Sequence, residues 1–224
     1  MNEALFFVTL LTNFVTVVAA YKFFGKYGVY AWIAIATVIA NIEVLKCVDI
    51  FSMPQTLGNV TYGTIFLATD ILSEKYGAKS AQKGVFIGFF ALLVFTIMTQ
   101  IDLLYVPNSS DFAGESMKVL FTITPRICFA SMFAYFVSST VDIKLFELIK
   151  QKLPSDKFLW LRNNGATMTA QIIDTFLFTY IGFSGVFGTE TLFKLFISTY
   201  LLKFVIAIFD TPFLYAAKKI KPGL

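Results

Sequence analysis

The chain has 224 residues, 57% of them hydrophobic and only 14% charged, against about a quarter charged in soluble domains; its mean hydropathy is +0.75. A soluble enzyme or a nucleic-acid binder of this size needs a more polar surface, so both classes are disfavoured. The net charge of +4 and the absence of histidine point the same way: the first reads as an orientation signal, and the second removes imidazole acid–base chemistry, histidine metal ligands and histidine pH switching.

At about 20 apolar residues per span, the chain has room for six or seven helices with short loops and none for a separate soluble domain. Residues 1–224 are therefore expected to form a single transmembrane transporter domain, an all-α integral-membrane bundle. The first segment is 4–24, with no charge over 4–21. It reads as a span and not as a cleavable signal peptide, because Glu3 stands where a basic n-region would be. Segment 28–49 follows. Segment 58–75 is the weakest, opening on Gly58, Asn59 and Thr61 and containing Gly63 and Asp70; it reads as a short, tilted or interrupted helix. Segment 84–106 is charge-free over 84–101 and leads into an acidic connection at 102–118. Segments 117–141, 164–185 and 191–217 complete the set. Cys47 and Cys128 sit alone in apolar stretches and read as small buried hydrophobes, not as a disulfide. Between the fifth and sixth segments, Trp160 and Arg162 suit a headgroup anchor. Asn163-Asn164-Gly165 is a turn signal, so residues 157–169 read as a loop at the mouth of a cavity. Asp174-Thr175 and Asp210-Thr211 form a faint repeat.

The basic residues test the count. Lys22 and Lys26, then Lys75, Lys79 and Lys83, then Lys144, Lys150, Lys152, Lys157 and Arg162, then Lys218, Lys219 and Lys221 all fall on alternate connections. That is thirteen of the 18 lysines and arginines. The positive-inside rule then gives seven spans, the N-terminus outside and the C-terminus in the cytoplasm. Six spans would break the alternation.

Ionisable residues inside spans cost about 2.5–3.5 kcal/mol each at a helix centre. This chain has Glu43, Lys46, Asp70, Arg126, Asp174, Lys203 and Asp210 in such positions, more than helix packing requires, so a polar cavity is expected. Asp70, Asp174 and Asp210 fall in the inner half and Arg126, Glu43 and Lys46 in the outer half. Lys203 falls near the middle. Arg126 and Lys203 each need a carboxylate on another helix. Neutral polar groups line up with them at helical spacing: Ser131, Tyr135, Ser138 and Asp142 on one helix, Asn164, Thr167, Gln171, Asp174 and Thr175 on another, and Tyr62, Phe66 and Asp70 on a third. Asn41 lies close to Glu43. No phosphate-binding loop, metal cluster or nucleophile motif occurs, so ATP hydrolysis by this chain is not expected. The residues alone describe a small-solute carrier.

Several stretches together resemble the queuosine precursor transporter family, also called the vitamin uptake transporter family. They are Asn41 with Leu45-Lys46, the run Gly58 to Gly63, the run Thr69 to Gly77, the run Trp160 to Gly165 with Thr167, Met168, Thr169, Gln171 and Asp174-Thr175, and Asp210-Thr211-Pro212-Phe213 with Tyr215. They cover residues 41–215. The resemblance implies import of a 7-deazaguanine, 7-cyano-7-deazaguanine or 7-aminomethyl-7-deazaguanine, for queuosine modification of tRNA. It implies a protein of the inner membrane with no cofactor, no enzymatic activity and no nucleic-acid partner, in contact with lipid, and leaves room for a homo-oligomer. A deazaguanine presents N1–H and a 2-amino group side by side, which a carboxylate can accept together, while an amide or a cation serves O6 and an aromatic ring supports the bicycle. The candidate substrate-binding residues are Asn41, Glu43, Lys46, Tyr62, Asp70, Arg126, Tyr135, Asn164, Gln171, Asp174, Lys203 and Asp210. The alternatives are a carrier of queuine or another purine-like base, an integral-membrane enzyme, and a substrate-binding subunit of a larger transporter.

Overall fold

The computed structural model describes residues 1–51, 53–122, 124–185 and 188–222. Helix α1 (Asn2–Glu43) has 42 residues, about 63 Å if straight, twice the hydrocarbon thickness of a bilayer. It is not straight. Gly25 adopts φ 57° and ψ −142°, a conformation that side chains beyond Cα disfavour, and the chain doubles back there. The Asn2 side-chain amide consequently donates to the carbonyl of Asp49, 2.9 Å away, and the rings of Phe6 and Phe51 meet edge-on at 6.1 Å. The segments expected at 4–24 and 28–49 are thus the two arms of α1.

The second arm ends at Glu43, short of the expected residue 49. Strands β1 (Cys47–Ile50) and β2 (Met53–Thr56) follow as an antiparallel hairpin with Cys47 opposite Thr56, whose first residues the expected span 28–49 had absorbed. Helix α2 (Gly58–Tyr76) is uninterrupted, and every residue from 58 to 73 is buried. It can pass so close to α1 because Gly58 has no side chain: a Cβ there would lie 2.4 Å from the carbonyl oxygen of Ala40. The remaining helices are α3 (Ala78–Asp102), α4 (Gly114–Thr122), α5 (Thr124–Lys152), α6 (Leu159–Phe183) and α7 (Thr189–Lys219), with a single 3-10 turn at Asp156–Phe158 before α6.

Helix α2 is the axis. It packs against α1, α3, α5, α6 and α7, while α5 and α6 form the most extensive helix pair. Apolar side chains such as Leu5, Val8 and Leu11 of α1, Phe86, Phe90 and Ile97 of α3, and Phe193, Leu201 and Ile208 of α7 face outward. Asp70, Asp142, Asp174 and Asp210 are buried. Polar inside and apolar outside is the arrangement of a bundle in lipid. Helices α1, α3 and α7 are each long and apolar enough to cross a membrane. Helices α2 and α6 do not meet that measure and α5 meets it only together with α4, because their inward faces carry the polar side chains.

The lysine-bearing connections gather at one end. Tyr21, beside the Gly25 break, packs on Tyr76 with ring centroids 6.4 Å apart. Lys75 donates to the carbonyl of Lys218 at 2.5 Å, and Lys150 to the carbonyls of Ser73 and Glu74 at 3.0 Å each, covering the end of α2. The β-hairpin lies at the opposite end.

Candidate functional site

Asp174 of α6 is the hub of a buried cluster. Its Oδ2 accepts from the Lys203 ammonium of α7 at 2.6 Å. Its Oδ1 accepts from the Tyr62 hydroxyl of α2 at 2.6 Å and the Ser138 hydroxyl of α5 at 3.1 Å. The Lys203 ammonium also sits 4.9 Å from the Tyr62 ring centroid, a cation–π contact strengthened by exclusion of water. Tyr62 is wedged edge-on between Phe66 and Tyr135, with centroids at 5.8 and 5.9 Å. Four helices converge on one carboxylate, and the pair is neutral as a unit, which is how charges are tolerated at such depth.

A cavity opens beside this cluster, in the half of the bundle nearer the hairpin. Asn41, Asn59, Tyr62, Ser131, Phe178 and Lys203 are among its walls, with Asp174. It has room for a few waters and is tight for a bicyclic base.

A second cluster lies toward the basic end. The Thr167 hydroxyl contacts Asp70 Oδ2 at 3.3 Å and Asp142 Oδ1 at 3.2 Å. Asn163 donates to Asp210 Oδ1 at 2.5 Å, and Asn164 to the Thr211 hydroxyl at 2.6 Å. Beyond it, Glu74, 5% exposed, takes three cations from three helices: Arg162 at 3.1 Å, Lys150 at 3.3 Å, and Lys218. Lys218 also pairs with Asp156 at 2.5 Å, and that hydrogen bond holds the Asp156 carboxyl below the usual carboxylate range. The Arg162 guanidinium, wholly buried, donates to the carbonyls of Leu153 and Pro154 as well. This network ties α2, α5, α6 and α7 together and closes the basic end.

The expected site residues separate accordingly. Asn41, Tyr62, Asp174 and Lys203 line the cavity, and Tyr135 packs against Tyr62 behind it. Gln171 lies one turn from Asp174 on α6, buried at 1%, and does not line the cavity. Asp70, Asp210 and Asn164 belong to the second cluster instead, so the three carboxylates grouped by depth fall into two sites. Glu43 is half-buried and hydrogen-bonded to Thr61. Lys46 is exposed at the base of the hairpin, where its carbonyl accepts from Leu57.

Lys203 finds its carboxylate on another helix, but Arg126 does not. Arg126 is exposed and donates to the carbonyls of Ile181 (3.1 Å) and Ser184 (2.6 Å), with no ion pair among the described residues. The end of α6 offers unpaired carbonyls there, which satisfy a guanidinium without a carboxylate. The expected turn at Asn163-Asn164-Gly165 is also corrected: all three are inside α6, because both amides find partners on α7 that compete successfully with local backbone bonding. The turn falls earlier, before the Asp156–Phe158 segment. Cys128 is buried and free; the Cys47 side chain lies outside the described part of the structure. Asn59 and Phe178 of the cavity, and Ser138 with its bond to Asp174, were not among the expected site residues. Ser138 had a signal, its place in the stripe with Tyr135 and Asp142.

A helical membrane protein with a polar cavity among its helices and an ion-paired closure at one end is a small-solute carrier. The family model described as "Putative vitamin uptake transporter" matches residues 56–217. A "Probable queuosine precursor transporter" of Bacillus subtilis (strain 168) is 43% identical over 222 residues, 99% of this chain and 97% of that protein. One of the same description from Haemophilus influenzae is 31% identical over 64% of this chain and 58% of its own length. The "Queuosine precursor transporter" of Escherichia coli (strain K12) is 26% identical over 70% of each. The chain therefore belongs to the vitamin uptake transporter family, a family of transporters and not of enzymes. No solved structure matches it.

Proposed function

We propose that this chain imports a queuosine precursor, 7-cyano-7-deazaguanine, 7-aminomethyl-7-deazaguanine or both, across the cytoplasmic (inner) membrane. The whole of residues 1–224 acts as one transport domain. The observation that carries the reading is Asp174 at the cavity wall, held by Tyr62, Ser138 and Lys203. A carboxylate has about four acceptor positions, and three are in use, so contact with N1–H and the 2-amino group of the base requires one of its present partners to yield. Oδ1 already holds both Tyr62 and Ser138 while Oδ2 holds Lys203 alone, so the partner that yields is on Oδ1; Ser138, at the longer 3.1 Å, is the suitable one, and the Lys203 ammonium has further hydrogens for O6. The ring of Tyr62 and that of Phe178 supply flat apolar walls. The neutral Asp174–Lys203 unit receives the uncharged 7-cyano-7-deazaguanine without leaving a net charge in the bundle, whereas the aminomethyl compound brings an ammonium of its own.

Seven crossings, with both arms of α1 counted, put the N-terminus outside and the lysine-rich end in the cytoplasm. The cavity then faces the outer half, and the Glu74 network is the cytoplasmic closure. Import requires the cavity to widen around the base and that network to part afterwards. The test is binding by purified protein in detergent. The two 7-deazaguanines should raise its melting temperature and displace one another, while adenine, which lacks the 2-amino group and O6, should not compete. Equal competition by adenine would sink the proposed recognition.

A further inference from the structure

The second cluster has no place in the proposed recognition of the base, and buried charge without a paired cation is costly. Asp70 of α2, Asp142 of α5 and Asp210 of α7 are all 0% exposed. No described cation pairs with any of them. Around them the charged groups are already committed. On the inner side Glu74 holds Lys150, Arg162 and Lys218. On the outer side Lys203 is held by Asp174, with Tyr62 and Tyr135 beside it. Helices α1 and α3, which also pack on α2, contribute no buried charge among the described residues.

The geometry within the cluster calls for a positive species. The Thr167 hydroxyl has one hydrogen and contacts two carboxylates, Asp70 at 3.3 Å and Asp142 at 3.2 Å, while Asp70 Oδ1, Asp142 Oδ2 and Asp210 Oδ2 are buried without a donor among the described residues. Two carboxylate oxygens repel unless something positive lies between them. Independently, two other buried oxygens, one turn along α6 and α2 from the cluster's own residues, have no donor among the described residues: Gln171 Oε1 and Ser73 Oγ, whose side chains are 1% and 0% exposed. Side chains on a helix lean toward its N-terminus. Gln171 lies one turn beyond Thr167 on α6 and Ser73 one turn beyond Asp70 on α2, so the Cα–Cβ bond of each is directed back along the helix toward that neighbour. Buried oxygens without a donor are costly and need an explanation.

We propose that Asp70, Asp142, Thr167, Gln171 and Ser73 form the site of a monovalent coupling cation, H⁺ or Na⁺, which enters with the base. The ligand set is all oxygen, as hard cations require. Thr167 and Gln171 share one face of α6 with Asp174, about 10 Å along the helix, so a single rigid element touches both cargo sites. The cation supplies the charge that the carboxylates lack, and its loss on the cytoplasmic side returns the cluster to a state that must be recharged from outside.

The coupling role rests on the transport reading above, so the test has one arm that needs no base. Purified wild-type protein should show a melting temperature that rises with Na⁺ or with acidification near neutral pH, whichever cation is used, and Asp142→Asn should lose that response. In proteoliposomes with the membrane potential clamped at zero, an inward gradient of that same cation should drive accumulation of the base, about tenfold for each tenfold of gradient with one cation per base. Entry of base should carry the cation in with it, read by an internal pH dye or by labelled sodium. If Asp142→Asn still exchanges labelled for unlabelled base, its accumulation ratio should fall to about one. If it does not exchange, the wild-type flux decides. The pH arm and the sodium arm tell the two cations apart. A cation response in melting together with no base exchange by the wild-type protein supports the site and strikes the substrate reading alone. Base exchange with no cation flux and no cation-dependent melting would overturn the proposal, as would an Asp142→Asn protein that accumulates base like the wild type.

Discussion

Replacing Asp174 by Asn separates what the carboxylate does for the fold from what it does for the base. The amide keeps an oxygen for Tyr62 and Ser138 but removes the counter-charge of Lys203, whose side chain is only 4% exposed. Breaking a buried pair by removing one partner typically costs about 3–5 kcal/mol, because the other charge is left uncompensated. That is a large share of a typical stability of about 5–15 kcal/mol, yet it leaves room for a folded population. Recognition loses its charge-assisted hydrogen bonds, worth about 1.5–3 kcal/mol, or about 10- to 150-fold in affinity. The assay is the initial uptake rate of labelled base at a concentration far below KM, normalised to the amount of protein in the membrane. Asp174→Asn should lower both the amount and the normalised rate. The double variant Asp174→Asn with Lys203→Met removes the orphaned ammonium, so it should recover amount but not rate. Recovery of rate in the double variant, or a normal rate in Asp174→Asn alone, would refute the reasoning: Asp174 would then serve only to balance Lys203.

Tyr62→Phe keeps the ring and loses a bond to Asp174 that is present without the base, so the folded state should lose about 1.5–3 kcal/mol, the worth of a hydrogen bond to a charged acceptor, read as a lower melting temperature; an unchanged melting temperature would contradict the assigned role. Glu74→Gln leaves Arg162 buried without its carboxylate. It should lower the melting temperature, with a cost at the lower end of the range for buried pairs, because Lys150 and Lys218 are partly solvated and Asp156 still holds Lys218. A cysteine introduced beside Lys152 should react with an impermeant maleimide only when the cytoplasmic face is opened; labelling in intact cells would reverse the topology.

The inward faces were legible because helical spacing survives folding. Ser131, Tyr135, Ser138 and Asp142 on α5 and Thr167, Gln171 and Asp174 on α6 are all on the sides of their helices that the bundle uses. Pairing across helices was not legible. That Asp174 takes Lys203 while Asp70 joins Asp142 depends on the rotation of each helix about its axis, which one sequence does not encode in its periodicity. Arg126 misled because a cation within an apolar run suggests a carboxylate partner, whereas helix-end carbonyls meet the same need. Asn163-Asn164-Gly165 misled because turn propensity is local, and the bonds to Asp210 and Thr211 come from 47 residues away. The hairpin was hidden because its first strand begins inside the apolar run read to residue 49, and hydropathy does not distinguish a short strand from the end of a helix.

The central claim is that this chain carries a 7-deazaguanine inward through the cavity at Asp174. The most direct measurement is queuosine in the tRNA of cells that cannot make the precursor, supplied with 7-cyano- or 7-aminomethyl-7-deazaguanine at limiting concentration. Cells expressing this chain should contain queuosine, and cells with no carrier or with the Asp174→Asn variant, matched for protein in the membrane, should contain little or none. Equal queuosine with and without the chain would contradict the claim.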